Sequence, residues 1–456
     1  MKRAEARRVG VASPPGTWQL FRRAHKETEK TMDLENAFVI DASSIKYGLG
    51  ATREVGYEMA ERGARRVMVA VDPKLKSSET LAIALKSLKD EGVDAVVFDQ
   101  VRVEPTDSSF KLAIEFATQG AFDGYVSIGG GSTMDTAKAA NLYATYPADF
   151  LDYVNLPIGK GIPVPGPLKP MVAIPTTAGT GSETTGVAVF DFEEMRAKTG
   201  IAHRALKPNL GIVDPNNTRT LPPMVVACSA LDIFSHALES LTALPYSKRE
   251  APESPRMRPA YQGANPISNI WASKAAEMGA KYMYRAMSDS SDDEARAQMI
   301  LASTYAGIGF GTAGVTLPHG MSYPIAGMVR DYRPPDYPQD HPMIPHGMAV
   351  ILTAPAAFRF MAPANPEMCL YAAGLIGADV AGAGPDDAGE ILAKAITEVM
   401  RKAQMPNGLR AVGYTPDDVD DLIAGVLPQH RVTKLSPRPA GAEDFRHMFL
   451  DSMTIW

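Results

Sequence analysis

From about residue 45 to 215, short apolar runs rich in Val and Ile alternate with stretches of helical period. The runs are VMVAV at 67–71, VDAVVF at 93–98, YVSIG at 125–129, MVAIP at 171–175 and LGIVD at 210–214, and helical spacing occupies 52–63, 77–91, 107–119 and 132–144. Strands apolar at successive positions must be covered on both faces, so the alternation predicts an α/β unit with a parallel sheet between helices. After Asp214 and Pro215 the strand pattern stops, and Ala-, Met- and Leu-rich segments of helical spacing run to the C-terminus. The predicted organisation is therefore a leader and first strand region at 1–44, an α/β domain at 45–215 and an all-helical domain at 216–456. Polar, Pro-rich stretches near 245–267 and 330–345 interrupt the helical part, and long loops of this kind usually serve a function.

A chain of 456 residues supports two or three domains with full cores, so stability alone does not require a metal. With a net charge of -6 and acids and bases intermixed, nucleic acid is not an expected partner. Cys228 and Cys369 lack the spacing of a disulfide framework or a thiolate metal site and read as buried apolar residues. No uninterrupted apolar stretch reaches the ~20 residues that cross a bilayer, so no membrane partner is expected either and the chain reads as cytoplasmic. In the first 30 residues Lys2, Arg3, Arg7, Arg8, Arg22, Arg23, Lys26 and Lys30 outnumber Glu5, Glu27 and Glu29. That bias suits a solvated leader, or a presequence to the mitochondrial matrix if the source is eukaryotic.

Ligands of parallel sheets sit beyond the carboxyl ends of the strands, which directs attention to Asp72, to Gly129–Ser132 and to Pro175–Glu183. GYVSIGGGSTMDTAKAA runs from a strand through three glycines into a helix opened by Ser132. Gly130 and Gly131 admit close backbone approach, and a helix start offers unpaired N–H groups to a diphosphate; a plain turn capped by Ser132 is the alternative. The next loop, IPTTAGTGSETTG, sets Thr176, Thr177, Thr180 and Ser182 among glycines, where their hydroxyls can donate to a ligand. Asp72 ends a strand, where a carboxylate accepts from an adenosine ribose and repels a 2′-phosphate, favouring NAD over NADP; it also suits the start of a turn before Pro73. The full G-x-G-x-x-G fingerprint is missing, because Arg53 follows Gly48 and Gly50 at its third position.

Asp232 and His236 stand four apart in ACSALDIFSHALESL and leave one helix face together. LPHGMSYP and IPHGMAV repeat a Pro-His-Gly-Met string and supply His319 and His346. Any one of these histidines alone suits a core or loop, whereas a carboxylate with three imidazoles in such contexts reads as a divalent metal site. Fe²⁺, Zn²⁺ and their neighbours all accept these ligands. A Lewis acid beside a dinucleotide is the pairing that hydride exchange between an alcohol and a carbonyl requires.

GGGSTMDTAK, PTTAGTGSET, DIFSHALES and PHG together resemble the iron-containing, group III alcohol dehydrogenase family over nearly all the chain beyond residue 45. VRVEPTDSSF, FLDYVNLPIGKG, RPAYQGANPISNIWA, AGIGFGTAGV, HGMSYPIAG and QHRVTKLSP are similar, within it, to the hydroxyacid-oxoacid transhydrogenases. The resemblance implies a dehydroquinate-synthase-like fold, with 45–215 holding the dinucleotide and 216–456 the metal and substrate. It also implies an NAD that stays bound between half-reactions, and oxidation of 4-hydroxybutyrate to succinate semialdehyde coupled to reduction of 2-oxoglutarate to 2-hydroxyglutarate. The family's metal ligands, Fe²⁺ first and Zn²⁺ as the alternative, fall on Asp232, His236, His319 and His346. Its cofactor contacts fall on Asp72, Gly130, Gly131, Ser132, Asp135, the Thr176 to Ser182 loop and Lys198. Tyr323 stands where many family members carry another histidine, and either takes part in proton transfer or simply packs. The expected partners are small hydroxy acids and oxo acids, with further copies of the chain in a homo-oligomer.

Both implied substrates carry carboxylates, which a guanidinium pairs through two parallel hydrogen bonds. Arg258 in RPAYQG is the favoured candidate, with Arg330 and Lys434 behind it. An NAD-dependent alcohol dehydrogenase with exchangeable cofactor, a metal-dependent lyase of the same fold and a catalytically silent scaffold are the competing readings. The aspartate-histidine pair in DIFSH argues against the lyase, whose ligand set resembles this one but begins with glutamate.

Overall fold

The computed structural model describes residues 33–456 other than position 196, so the expectation for the basic first 30 residues lies outside the described residues. Six strands form a parallel sheet in the order β1-β8-β5-β4-β2-β3: β1 Ser44–Tyr47, β2 Arg66–Val71, β3 Asp94–Phe98, β4 Gly124–Gly129, β5 Met171–Pro175 and β8 Leu210–Val213. Successive side chains of a strand point to opposite faces. Val67, Val69 and Val71 accordingly pack under helices α1 (Val55–Glu61) and α2 (Glu79–Asp90). Met68 and Ala70 pack under α3 (Asp107–Gly120) and α4 (Gly131–Thr145) on the other face. This double coverage is why the runs read as continuously apolar.

The remaining strands, β6 Val187–Phe192 and β7 Ala197–Ala202, pair antiparallel as a separate ribbon that the apolar pattern does not announce. Beyond Val213, described residues form no further strand, only isolated bridges such as Pro245 to Ala264. Helix α5 (Pro223–Thr242) runs through the middle of the largest core cluster. By length and a hydropathy of 1.4 it could cross a membrane, yet 83% of that window is buried within the fold. Around it lie α6 (Pro266–Ser288), α7 (Asp293–Ala313), α8 (Leu317–Gly327) and α9 (His346–Ile351).

The first Pro-rich stretch clasps the residues that precede β1. Glu35 receives both Nε and Nη2 of Arg258 at 3.0 Å, and Gln262 exchanges hydrogen bonds with the backbone of Val39 at 2.9 and 3.1 Å. The Arg258 guanidinium holds the Glu35 carboxyl below its ordinary pKa. Such a group stabilises the fold above its unfolded pKa and loses that contribution as pH falls through its lowered one. Arg258→Met is therefore expected to lower the thermal midpoint by roughly 2–4 °C at pH 7. The deficit should shrink as the pH is taken below about 4; a deficit independent of pH in calorimetric scans would mean that the ion pair is not its source.

Candidate functional site

The carboxyl ends of β4 and β5 lie side by side, and their two glycine loops touch. Thr176 N–H donates to Gly129 O at 3.0 Å. A Cβ on Gly130 would come within 3.0 Å of Thr177 Oγ1, and one on Gly131 within 2.8 Å of Thr180 Cγ2. The triple glycine thus lets the threonine loop pack onto the start of α4. That helix begins at Gly131 behind an N-cap, Gly130, that makes no side-chain bond; Ser132 sits one residue inside it and accepts from Glu104 N–H at 3.2 Å. The alternative of a plain turn capped by Ser132 is therefore not what forms, and a helix start without a side-chain cap suits an anion.

Asp135 and Lys138, one turn farther along α4, tie the loops together. Asp135 accepts from Ser182 Oγ at 2.8 Å and from Val189 N–H at 2.9 Å, while Lys138 Nζ reaches Ser182 Oγ at 2.6 Å and Val187 O at 2.9 Å. Burial raises the pKa of Asp135 and lowers that of Lys138, each opposed by the other's charge. Ser182, expected to offer its hydroxyl to a ligand, spends it on this internal network. Asp72 caps the turn that follows β2, accepting from Lys74 N–H at 2.8 Å through one oxygen. Turn starter and ribose acceptor are thus compatible roles for its two oxygens.

Asp232, His236, His319 and His346 each present one donor atom, and all four atoms lie within 4.8 Å of one another. Asp232 Oδ1 is 3.6 Å from His236 Nε2 and 3.8 Å from the Nε2 of both His319 and His346. Helix α5 brings the first pair by its i, i+4 spacing, and the two Pro-His-Gly-Met strings open α8 and α9. The glycines of those strings allow close packing: a Cβ on Gly347 would stand 2.0 Å from Cys228 O, and one on Gly320 would stand 3.0 Å from Thr433 Cγ2. Met321 and Met348 point into the core.

The donors are arranged for a cation. Burial, reinforced by the charges of Glu239 and Glu104 and opposed by His319, pushes the Asp232 carboxyl up to about 7. Burial and the neighbouring His319 take His346 down to about 3, and the same causes hold His236 well below its ordinary value. Asp232 Oδ1 and His319 Nε2 are buried without a hydrogen-bond partner among the described residues. Glu239, a turn beyond His236 on α5, accepts from His319 Nδ1 at 2.6 Å and from Thr316 N–H at 2.6 Å, which leaves His319 Nε2 as a lone-pair donor. Converging lone pairs and an unpaired buried carboxylate fit a divalent ion.

This cluster and both loops open on one cavity, lined also by Glu104, Lys198, Tyr261, Phe310, Tyr323 and Arg431. Lys198, on the β6–β7 ribbon, is bound to Glu104 at 2.8 Å and Asp191 at 3.0 Å. Burial acts to raise the Glu104 carboxyl, but Lys198, His346 and the His346 N–H outweigh it and leave its pKa low. The His236 ring stacks on Phe310 with centroids 3.9 Å apart.

Arg258, the favoured carboxylate receptor, is not among the residues lining the cavity, because its guanidinium is engaged by Glu35. Arg330 is likewise paired with Asp418, and Lys434 is exposed. Two cations do line the cavity: Lys198, which is held by Glu104 and Asp191, and Arg431, whose Nη2 donates to Tyr323 Oη at 2.7 Å. Glu104, Glu239 and Arg431 are absent from the candidates drawn from the sequence. Glu239 left a local signal, three residues after His236 on the same face, and Glu104 and Arg431 fall within VRVEPTDSSF and QHRVTKLSP without being singled out there.

Residues 42–215 match the family described as iron-containing alcohol dehydrogenase, and 260–453 match the C-terminal part of the Fe-containing alcohol dehydrogenase family. The chain is 52% identical over 438 residues to the mitochondrial hydroxyacid-oxoacid transhydrogenase of Mus musculus, covering 96% of this chain and 94% of that one. Among solved structures, a 1,3-propanediol oxidoreductase superposes with a TM-score of 0.79 at 25% identity, covering 91% of this chain and all of the other. The sulfoacetaldehyde reductase of Bifidobacterium kashiwanohense in complex with NAD+ superposes at 0.74 and 25% identity, covering 91% and 98%.

Proposed function

The chain belongs to the iron-containing alcohol dehydrogenase family, and from that premise we propose that it acts as a hydroxyacid-oxoacid transhydrogenase. The observation that carries the reading is one cavity bounded by a four-donor cation site on one side and two dinucleotide-type loops on the other. In the reaction proposed, 4-hydroxybutyrate loses a hydride from C4 and a proton from its hydroxyl to become succinate semialdehyde. The hydride and a proton then add to the C2 carbonyl of 2-oxoglutarate, giving 2-hydroxyglutarate.

Asp232, His236, His319 and His346 would hold the divalent ion, taken here as Fe²⁺, and the start of α4 with the threonine loop would hold the NAD diphosphate. When bound, the two groups supply Lewis acidity at the substrate oxygen and a carrier for the hydride. Glu239 orients His319, and the Asp135–Lys138–Ser182 network keeps the two loops in register. Phe310, Val187, Val189 and Val315 give the cavity apolar walls, which would exclude water from the reacting carbon. Asp72 would select NAD, and the ratio of NAD to NADP dissociation constants measures that preference directly. The name of the mouse relative and the basic first 30 residues support a mitochondrial matrix location where the chain is made by a eukaryote. Self-association belongs to the same proposal, and light scattering of the purified chain reports it.

The test mixes purified enzyme with 4-hydroxybutyrate and 2-oxoglutarate and adds no NAD. Formation of succinate semialdehyde and 2-hydroxyglutarate in equal amounts is expected. Product formation only with added NAD, accompanied by free NADH, would replace the transhydrogenase by a dehydrogenase with exchangeable cofactor.

A further inference from the structure

The expected carboxylate receptor, Arg258, is neutralised by Glu35, whereas the cavity contains a cation whose pairing is incomplete. Arg431 stands on the short helix His430–Thr433 and enters the cavity between two aromatic rings. Its Nη2 donates to Tyr323 Oη, and its guanidinium carbon lies 5.0 Å from the centroid of the Tyr261 ring. Nη1 is shielded from solvent and has no hydrogen-bond partner among the described residues. A guanidinium presents its terminal nitrogens in a planar fork, so an unused Nη1 beside an occupied Nη2 leaves part of the fork open. Burial works against its charge, while the facing oxygens of Tyr323 and Tyr261 outweigh that and raise its pKa. Of the carboxylates lining the cavity, Glu104 and Asp135 are engaged by Lys198 and Lys138, and Asp232 belongs to the four-donor cluster.

Helix α8 carries both a donor of the cation site and the residue that holds this fork. His319, a donor of the cation site, and Tyr323, the residue that holds Arg431, are one helical turn apart, a rise of ~6 Å. In 4-hydroxybutyrate the reacting carbon is separated from the carboxylate carbon by three C–C bonds. In 2-oxoglutarate the carbonyl carbon is separated from the distal carboxylate by the same three bonds. Bonds of about 1.5 Å put the reacting oxygen and the carboxylate roughly 5 Å apart in either compound when extended. Two substrates that take turns in one pocket therefore offer the same pair of handles at the same separation.

Resting on the transhydrogenase reading, we infer that Arg431, positioned by Tyr323 and Tyr261, is the shared receptor for the carboxylate lying three carbon–carbon bonds from the reacting carbon in both half-reactions. It replaces the carboxylate's water shell by a charge-assisted hydrogen bond, so hydroxy and oxo acids of this length are selected over plain alcohols. Donor and acceptor are read by one residue, which is what a pocket serving two successive substrates requires.

The test uses the holoenzyme and compares kcat/KM for 4-hydroxybutyrate with that for butan-1-ol, which has a methyl group in place of the carboxylate. Loss of one partner from a desolvated charge pair predicts that Arg431→Met lowers this ratio about 100-fold, and that KM for 2-oxoglutarate rises in parallel. Arg431→Lys keeps the charge without the fork and should recover part of both effects, which also covers the case in which the methionine variant does not fold. Arg258→Met should leave the ratio where it was. An unchanged ratio in Arg431→Met, or a rise in KM for one acid but not the other, overturns the shared receptor. If the wild type instead fails to transfer hydride from 4-hydroxybutyrate to 2-oxoglutarate, the transhydrogenase reading falls first, whatever the ratio in the variants.

Discussion

His319→Ala is expected to bind a divalent cation at least ~100-fold more weakly than the parent chain and to lose turnover by about 1,000-fold or more. The first figure follows because even the partners that orient a ligand matter 10- to 100-fold, and here the ligand itself is removed. The second follows because a Lewis acid contributes several kcal/mol to the barrier, with each ~1.4 kcal/mol worth tenfold in rate. The fold should survive: Glu239 keeps its hydrogen bonds from the Thr316 backbone and hydroxyl, and the helical core extends far beyond the cluster. Titration with Fe²⁺ or Zn²⁺, followed by steady-state assay and a thermal melt, separates these effects. Wild-type turnover in a metal-free His319→Ala preparation would remove the site from the mechanism.

A comparable loss is expected at Gly347, a residue that offers no ligand atom. Alanine there places its Cβ 2.0 Å from the Cys228 carbonyl oxygen and 3.0 Å from the Asp232 Cβ. Both neighbours belong to the buried interior of α5 and cannot swing aside, so the start of α9 must move and carry His346 away from Asp232. A displacement of about 1 Å at a reacting constellation lowers rates about 100-fold, and forcing extra volume into a packed contact costs about 1–3 kcal/mol of stability. Gly320, the equivalent glycine of the other Pro-His-Gly-Met string, meets only side chains, the nearest at 3.0 Å. Gly320→Ala is expected to lose less than a tenth as much activity. Equal effects at the two glycines, measured as metal affinity and kcat, would show that the tight approach to α5 does not set the site.

Strands β2, β4, β5 and β8 were legible because they are buried on both faces, which forces runs such as VMVAV and YVSIG, whereas the short, partly exposed β1, SIKY, carries no such run. The β6–β7 ribbon was not, since VAVFDF and AKTGIA mix apolar, charged and small residues and pair with each other away from the main sheet. Part of the site was local in origin. Helical spacing alone puts Asp232 and His236 on one face, and three glycines after a strand allow a second loop to approach. The repeated Pro-His-Gly-Met string marked two helix starts before any contact was known. Tertiary structure decided which charges are spent. Arg258 lies in a loop that the substrate argument favoured, but a glutamate 223 residues earlier occupies its fork. Glu239 reaches His319 across 80 residues, and Tyr323 meets Arg431 across 108. A charged side chain looks alike in sequence whether its partner is a distant carboxylate, water or a substrate. Its partner is fixed by packing between elements far apart in the chain, which residue spacing does not encode.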